Sequence, residues 1–236
     1  MLAGKGGIGK TFVASLLAQV IASSGEPVLS LDADPVNASL TEITALRAEP
    51  VRLFLPGSDE PDIDAMDAMI ERIVGADSHV VLDNGAASFV PLSRYLVAPA
   101  VLEAIEAAGK RLVVHTLVSG GPELTQTVRG FDSIASQFPH EIPIVLWVNP
   151  HHGSITGSDG ASFRDTPVFR KHAARISGII DLPRFDRHFA KSIAAMQARG
   201  LTFSEAAQSG ELYVMDRQRI AQVRRQLWEQ VEAALR

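Results

Sequence analysis

Gly4-Lys5-Gly6-Gly7-Ile8-Gly9-Lys10-Thr11 satisfies the phosphate-binding loop pattern G-x-x-x-x-G-K-[ST] at every fixed position. Glycines let backbone N–H groups converge on phosphate oxygens, and the helix that follows adds the positive end of its dipole. In such a loop Gly6, Gly7, Ile8 and Gly9 supply the cradle. Lys10 reaches the β- and γ-phosphates, and the Thr11 hydroxyl ligates Mg²⁺. Lys5 is a second lysine inside the loop, where the pattern requires none.

The surroundings fit. Phe12, Leu16 and Val20, flanked by Val13, Leu17 and Ile21, repeat as one face of a helix, which Gly25 and Pro27 stop. Upstream, only Met1-Leu2-Ala3 precede the loop, whereas strands average about five or six residues. The strand feeding a phosphate loop is central in its sheet. The natural chain is therefore expected to start several residues earlier, with the first strand cut short here.

Apolar runs alternate with helical patterns farther on, which predicts an α/β fold in one nucleotide-binding domain: a mostly parallel sheet with helices on both faces. Strands are expected at 27–31, 51–55, 79–82, 112–118, 142–148 and 176–182. Helices are expected around 63–73, 122–137, 187–199 and 214–235. Residues 149–162 form a long loop rich in Gly, Ser and His, a length that is often functional. At 236 residues the chain holds a substantial core. It has no apolar run approaching a membrane span, and no leader pattern. Cysteine is absent, which excludes disulfides and thiolate chemistry and fits a reducing cytoplasm. The net charge of −5 argues against a broad nucleic-acid surface.

Ligand sites in open α/β folds lie at the carboxyl ends of strands. Asp32 and Asp34 follow the second predicted strand, and Asp83 ends an apolar run as a Walker B aspartate does. Carboxylates there hold Mg²⁺, directly or through water, and orient an attacking water. The metal set is thus Thr11, Asp83 and Asp32. Guanine readers carry N/T-K-x-D; Asn149-Pro150-His151-His152 supplies no such carboxylate, so ATP is expected over GTP.

Lys5-Gly6-Gly7-Ile8-Gly9-Lys10-Thr11, followed by Leu31-Asp32-Ala33-Asp34-Pro35-Val36-Asn37, resembles the deviant Walker A ATPases of the ParA/MinD type. The resemblance implies an ATP hydrolase, with ATP and Mg²⁺ as cofactors, that dimerises around ATP. It implies that Lys5 reaches the partner's nucleotide and that Asp34 supports hydrolysis beside Lys10. It further implies that Asp83 serves the Mg²⁺ site on a switch loop, and that Asn149 contacts adenine. Pro183, in Ile180-Asp181-Leu182-Pro183, stands where a second base-contacting strand end lies.

Nearly the whole chain is similar to the branch of that family encoded among the transfer genes of conjugative plasmids. The similarity runs through 32–38, 82–96, 113–121 and 134–139, and implies conjugation-machinery partners. Two segments depart from the wider family. Asp34-Pro35-Val36-Asn37 stands for D-P-Q-G, and Asp83-Asn84-Gly85 for the start of D-x-P-P; both lie in switch loops. A small-molecule kinase or ligase on the same scaffold is one alternative, though no acceptor-site signature is present. A nucleotide-binding scaffold with negligible turnover is another, kept open by the altered switches.

Weaker features have simpler explanations. His151 and His152 are adjacent and read as solvated or near the base rather than as metal ligands. Asp62, Asp64 and Asp67 fall in a helix's first turns, where the dipole favours them. In the last helix Ile220, Val223, Leu227 and Val231 form the apolar stripe, with Arg217, Arg224 and Trp228 on its border. Arginine stems covering that edge are expected in preference to DNA contact, and membrane insertion is not expected.

Overall fold

The computed structural model describes residues 1–34, 37, 39–157 and 160–235. Pro35 and Val36 of the first switch segment, and Ser158 and Asp159 of the long loop, lie outside the described residues. The elements run α1 (Lys10–Ser23), β1 (Val28–Ala33), β2 (Glu49–Pro50), α2 (Ile63–Gly75), β3 (His79–Asn84), α3 (Phe89–Leu96) and α4 (Pro99–Ala107). They continue β4 (Val114–Ser119), α5 (Leu124–Gln137), β5 (Ile144–Asn149), α6 (Pro167–His172), β6 (Ile176–Asp181), α7 (Arg187–Gln197), α8 (Phe203–Gln208) and α9 (Val214–Leu235).

All strand pairing in the two sheets is parallel, in the orders β2-β1-β3 and β4-β5-β6. Residues 1–3 lie between them. The Met1 ammonium donates to Leu82 O at 2.5 Å on one side, and Leu2 N–H donates to His115 O at 2.8 Å on the other. Residues 1–3 thus bridge β3 and β4.

Strand alternation places helices on both faces. Along β5, Ile144, Leu146 and Val148 join one core with Leu92, Val101 and Phe131, while Val145 and Trp147 join the other with Leu16, Ile193 and Leu227. The stripe Ile220, Val223, Leu227 and Val231 of α9 is buried as its spacing predicts. The Arg224 guanidinium lies 4.6 Å from the centre of the Trp228 ring, covering the stripe's edge. Asp62 caps α2, accepting from Ala65 N–H at 3.0 Å.

The expected strand at 51–55 is a correction. Pairing with β1 is confined to Glu49–Pro50 and ends with Val51 N–H donating to Asp32 O. Pro50 has no N–H to extend the ladder, and Phe54 turns away into an isolated antiparallel bridge with Pro61. The short helices α3, α4, α6 and α8 were not foreseen. Their six to nine residues carry too few turns for a clear period.

Candidate functional site: the phosphate loop and its flanking strand ends

Register brings the chemistry to one edge. Asp32 is level with Asp83 across β1 and β3, and Ser119 is level with Asn149 across β4 and β5. The phosphate loop leaves residues 1–3 between these pairs and feeds α1. Gly7 and Gly9 adopt φ of 75° and 100°, so the turn depends on residues that tolerate the left-handed region.

Lys10 is buried, and its ammonium donates to Lys5 O at 2.8 Å, lying back across the loop it belongs to. Burial pulls its pKa below the ordinary lysine value, opposed by the nearby Asp83 and Asp34 carboxylates. Asp83 Oδ2 accepts from the Thr11 hydroxyl at 2.6 Å. Its Oδ1 is buried and has no hydrogen-bond partner among the described residues. Burial lifts the Asp83 pKa to about 6, and the Thr11 hydrogen bond acts in the opposite direction. A desolvated carboxylate oxygen beside a hydroxyl is a hard, oxygen-only donor set, which fits Mg²⁺. Thr11 and Asp83 are the residues that fit that ion.

Asp32 is engaged otherwise. Its Oδ1 accepts from Asp34 N–H, and its Oδ2 from Leu40 and Thr41 N–H at 2.9 and 3.1 Å. Both oxygens anchor the segment after β1. Asp34 follows it, and its Oδ1 accepts from Asn37 N–H at 3.0 Å. It packs so closely on Gly85 that a Cβ there would meet the Asp34 carboxylate at 2.9 Å. The two acidic strand ends are thus in contact through a glycine.

Asn84 gives the Asp83-Asn84-Gly85 variation a structural task. Its Oδ1 accepts from Ala3 N–H at 3.0 Å, and its Nδ2 donates to Gly85 O at 2.6 Å. The fully buried Ser88 hydroxyl adds bonds to Ala33 O and Gly85 O. Asn84 joins the segment that enters the loop to the turn after β3.

Asn149 Nδ2 donates to Ile8 O at 2.9 Å, and His152 Nε2 lies 3.0 Å from Gly7 O. With the carbonyl as acceptor, Nε2 of His152 carries the proton. Behind them the 149–154 loop crosses the turn after β4. Gly120 N–H donates to Asn149 O and Gly121 N–H to Ser154 O. A Cβ on Gly121, whose φ is +70°, would stand 2.2 Å from His152 O. Pro183 lies one residue beyond Leu182, whose N–H donates to Val148 O, which holds it at the same edge as Asn149. Lys5 turns to its own chain, with Nζ 3.1 Å from the Glu123 carboxylate.

The site therefore gathers Lys5, Gly6, Gly7, Ile8, Gly9, Lys10, Thr11, Asp32, Asp34, Asp83 and Asn149 around one loop. His152, Glu123 and Asn84 join them without having been foreseen. His152 reads from sequence as solvated or near the base, and nothing in its spacing points at Gly7. Glu123 is an ordinary turn residue in the linear chain, and Asn84 stands out there only as a departure from the family's pattern.

Comparison with known proteins agrees with this geometry. The CobQ/CobB/MinD/ParA nucleotide binding domain model matches residues 1–232. Two Escherichia coli proteins named Protein TraL are each 40% identical over 235 residues, covering 99% of this chain and 96% of theirs. A chain of the MinC:MinD cell division protein complex of Aquifex aeolicus superposes with a TM-score of 0.51 at 18% identity, covering 97% of this chain and 93% of that one, which establishes the same α/β fold. No helix among the described residues is long and apolar enough to cross a membrane. A phosphate loop with an extra lysine, set between two parallel half-sheets and matched over nearly its whole length, makes this chain a member of the CobQ/CobB/MinD/ParA nucleotide-binding family.

Proposed function

We propose that the chain is an ATPase that binds Mg-ATP on residues 4–11, dimerises around it, and acts in conjugative plasmid transfer. The observation that carries this reading is the pairing of Thr11 with a buried, half-satisfied Asp83 beside the two loop lysines. Lys10 leaves the Lys5 carbonyl to meet the β- and γ-phosphates, and the glycine N–H groups receive the remaining oxygens. Mg²⁺, when bound, neutralises phosphate charge. Thr11 and Asp83 hold it, while Asp32 keeps the segment after β1 in place rather than ligating. Asp34 orients the attacking water. Asn149, Pro183 and His152 close the base end. Lys5 exchanges Glu123 for the partner protomer's nucleotide, which makes the dimer the signalling state. The similarity to Protein TraL supports partners in a conjugation complex.

A second reading, tight binding with negligible turnover, is favoured by one observation. Asn84 and Ser88 tie the turn after β3 to its neighbours, which would stiffen a switch loop.

Light scattering of Asp34→Ala with and without Mg-ATP tests the proposal. A mass that doubles only with Mg-ATP is the expected result. A fixed mass, with ATP binding verified by titration, would sink the dimer. Wild-type turnover that stays absent in the presence of a conjugation complex would favour the scaffold.

A further inference from the structure

A cavity of about 240 Å³ lies beside the entry to the phosphate loop, between residues 3–5, the start of α3, β4 and α5. Ala3, Leu117 and the Phe89 ring give it apolar walls. Phe89 stands hard against the loop, since a Cβ on Gly4 would meet its ring at 2.7 Å. Thr116 lies among these walls, only 1% exposed, and its hydroxyl has no hydrogen-bond partner among the described residues. Thr127, the other buried hydroxyl of the lining, is by contrast engaged by Ser119 N–H at 3.0 Å. A buried hydroxyl that opens on a cavity and lacks a partner calls for one.

The rim has the opposite character. Gln126, Arg129, Gly130 and Ser133 follow one another at i, i+3, i+4 and i+7, so they form one line of α5 along the cavity. The Arg129 guanidinium makes no hydrogen bond or ion pair among the described residues, and neither does the Gln126 side chain. Lys5 adds a second cation, and no carboxylate is among the described residues of the lining.

Gly130 is an independent sign. A helix interior disfavours glycine relative to alanine, and crowding does not account for it here, because a Cβ would meet nothing within 4 Å. The missing side chain keeps the α5 side of the cavity open.

We propose that this cavity binds a small organic acid that carries an uncharged oxygen besides its carboxylate. The carboxylate stays at the rim on Arg129, whose planar fork matches it, with the Lys5 charge nearby. Walls of Ala3, Leu117 and Phe89 refuse the charged end and admit the uncharged one, whose hydroxyl or carbonyl oxygen meets the Thr116 hydroxyl. The carbon skeleton packs on Phe89. An occupant therefore touches both the phosphate loop, at Lys5, and the start of α3 just beyond the turn after β3.

Ligand-observed NMR on the full chain tests this, without nucleotide, so that the outcome is independent of the ATPase reading. Glycolate, lactate and levulinate are the probes; acetate and inorganic phosphate are the comparisons. At least one probe should bind with a Kd on the order of 1 mM, and acetate and phosphate more weakly. Arg129→Ala should weaken that binding about tenfold or more. Gly130→Leu, which projects into the cavity, should abolish it, and Thr116→Val should erase the preference over acetate. Failure of all three probes to bind overturns the proposal, as does binding that Arg129→Ala and Gly130→Leu leave unchanged. Phosphate bound more tightly than every organic acid overturns the carboxylate assignment. Should Gly130→Leu fail to fold, Gly130→Ala replaces it, with a raised thermal midpoint and weakened probe binding expected. A lowered midpoint would show that the glycine serves packing, and overturns the site.

Discussion

Lys5 of the phosphate loop ends 3.1 Å from Glu123 of its own chain, with both side chains partly exposed. An ion pair in such a setting is worth about 0–1 kcal/mol, enough to bias a lysine between two partners but not to lock it. Glu123→Gln should therefore strengthen Mg-ATP-dependent dimerisation by up to about fivefold. Lys5→Ala should weaken it while leaving ATP affinity in place. Sedimentation velocity with Mg-ATP reads both, and a Glu123→Gln protein that dimerises less well would show that Glu123 supports Lys5 rather than detains it.

Lys10 is buried and donates to a carbonyl of its own loop, so it is poised for a stronger acceptor. Losing charge-assisted bonds worth about 1.5–3 kcal/mol should lower Mg-ATP affinity roughly tenfold to a hundredfold in Lys10→Ala. Calorimetric titration measures this, with circular dichroism verifying the fold. Undiminished affinity would remove Lys10 from phosphate binding.

Two buried groups set opposing pH dependences. His115, accepting from Trp147 Nε1 at 3.0 Å, has its pKa driven down to about 3 by burial. The unfolded chain then takes up a proton that the folded chain refuses, so this residue makes stability rise with pH from about 3 to about 6.5. Asp83 is raised to about 6 by burial. The folded chain keeps a proton there that the unfolded chain has lost, so this residue makes stability fall from about pH 4 to about pH 6. Each contributes a slope of up to about 1.4 kcal/mol per pH unit in its window. Relative to wild type, Asp83→Asn should become progressively more stable from pH 4 to 6, and His115→Phe progressively less so. Chemical denaturation across that range, without nucleotide or Mg²⁺, decides it; parallel curves for all three proteins would contradict the burial argument.

Asp83→Asn should also lose the response of the wild-type protein to the metal. In wild type, Mg²⁺ with nucleotide should engage Asp83 Oδ1, which has no hydrogen-bond partner among the described residues, and raise the thermal midpoint beyond the effect of nucleotide with a chelator. The variant should show the nucleotide increment alone. An identical Mg²⁺ increment in both proteins would move the ion elsewhere.

The crossing of two turns makes Gly121 a sensitive position outside the phosphate loop. Alanine there meets His152 O at 2.2 Å and a φ of +70°, so the 149–154 loop must shift. Backbone strain of this type costs about 1–3 kcal/mol. Gly121→Ala should lower the thermal midpoint and weaken ATP binding together, because Asn149 and His152 are drawn off Ile8 and Gly7. A destabilised variant with unaltered ATP affinity would show that the loop's hold on those carbonyls is not needed for binding.

Much of the fold was legible because its signals are local. The glycines and lysines of residues 4–11 name their own turn, and the stripe Ile220, Val223, Leu227 and Val231 names its buried face. The apolar runs of β4 and β5, buried at every position, are what a two-sided parallel sheet requires. What stayed hidden depends on distant partners. An acidic residue after a strand, such as Asp32, carries no mark of what its oxygens will meet; Leu40 and Thr41 amides donate to one of them. Residues 51–55 read as a strand because their apolar content is right, while Pro50 decides where pairing ends. Glu123, Asn84 and His152 acquired their places from contacts 81 to 145 residues away in the last two cases, beyond any periodicity.

The stitching of the phosphate loop to late parts of the chain governs when it can exist. Met1 and Leu2 donate hydrogen bonds to β3 and β4, and Ile8 and Gly7 are held by Asn149 and His152, 141 and 145 positions later. A ribosome-bound chain has emitted its loop long before it has made the residues that shape it. Such long-range closure slows folding and leaves the early segment without structure while synthesis proceeds. Nucleotide capture would in this way wait until Asn149 and His152 are made, and products of translation interrupted before them would be unable to hold one.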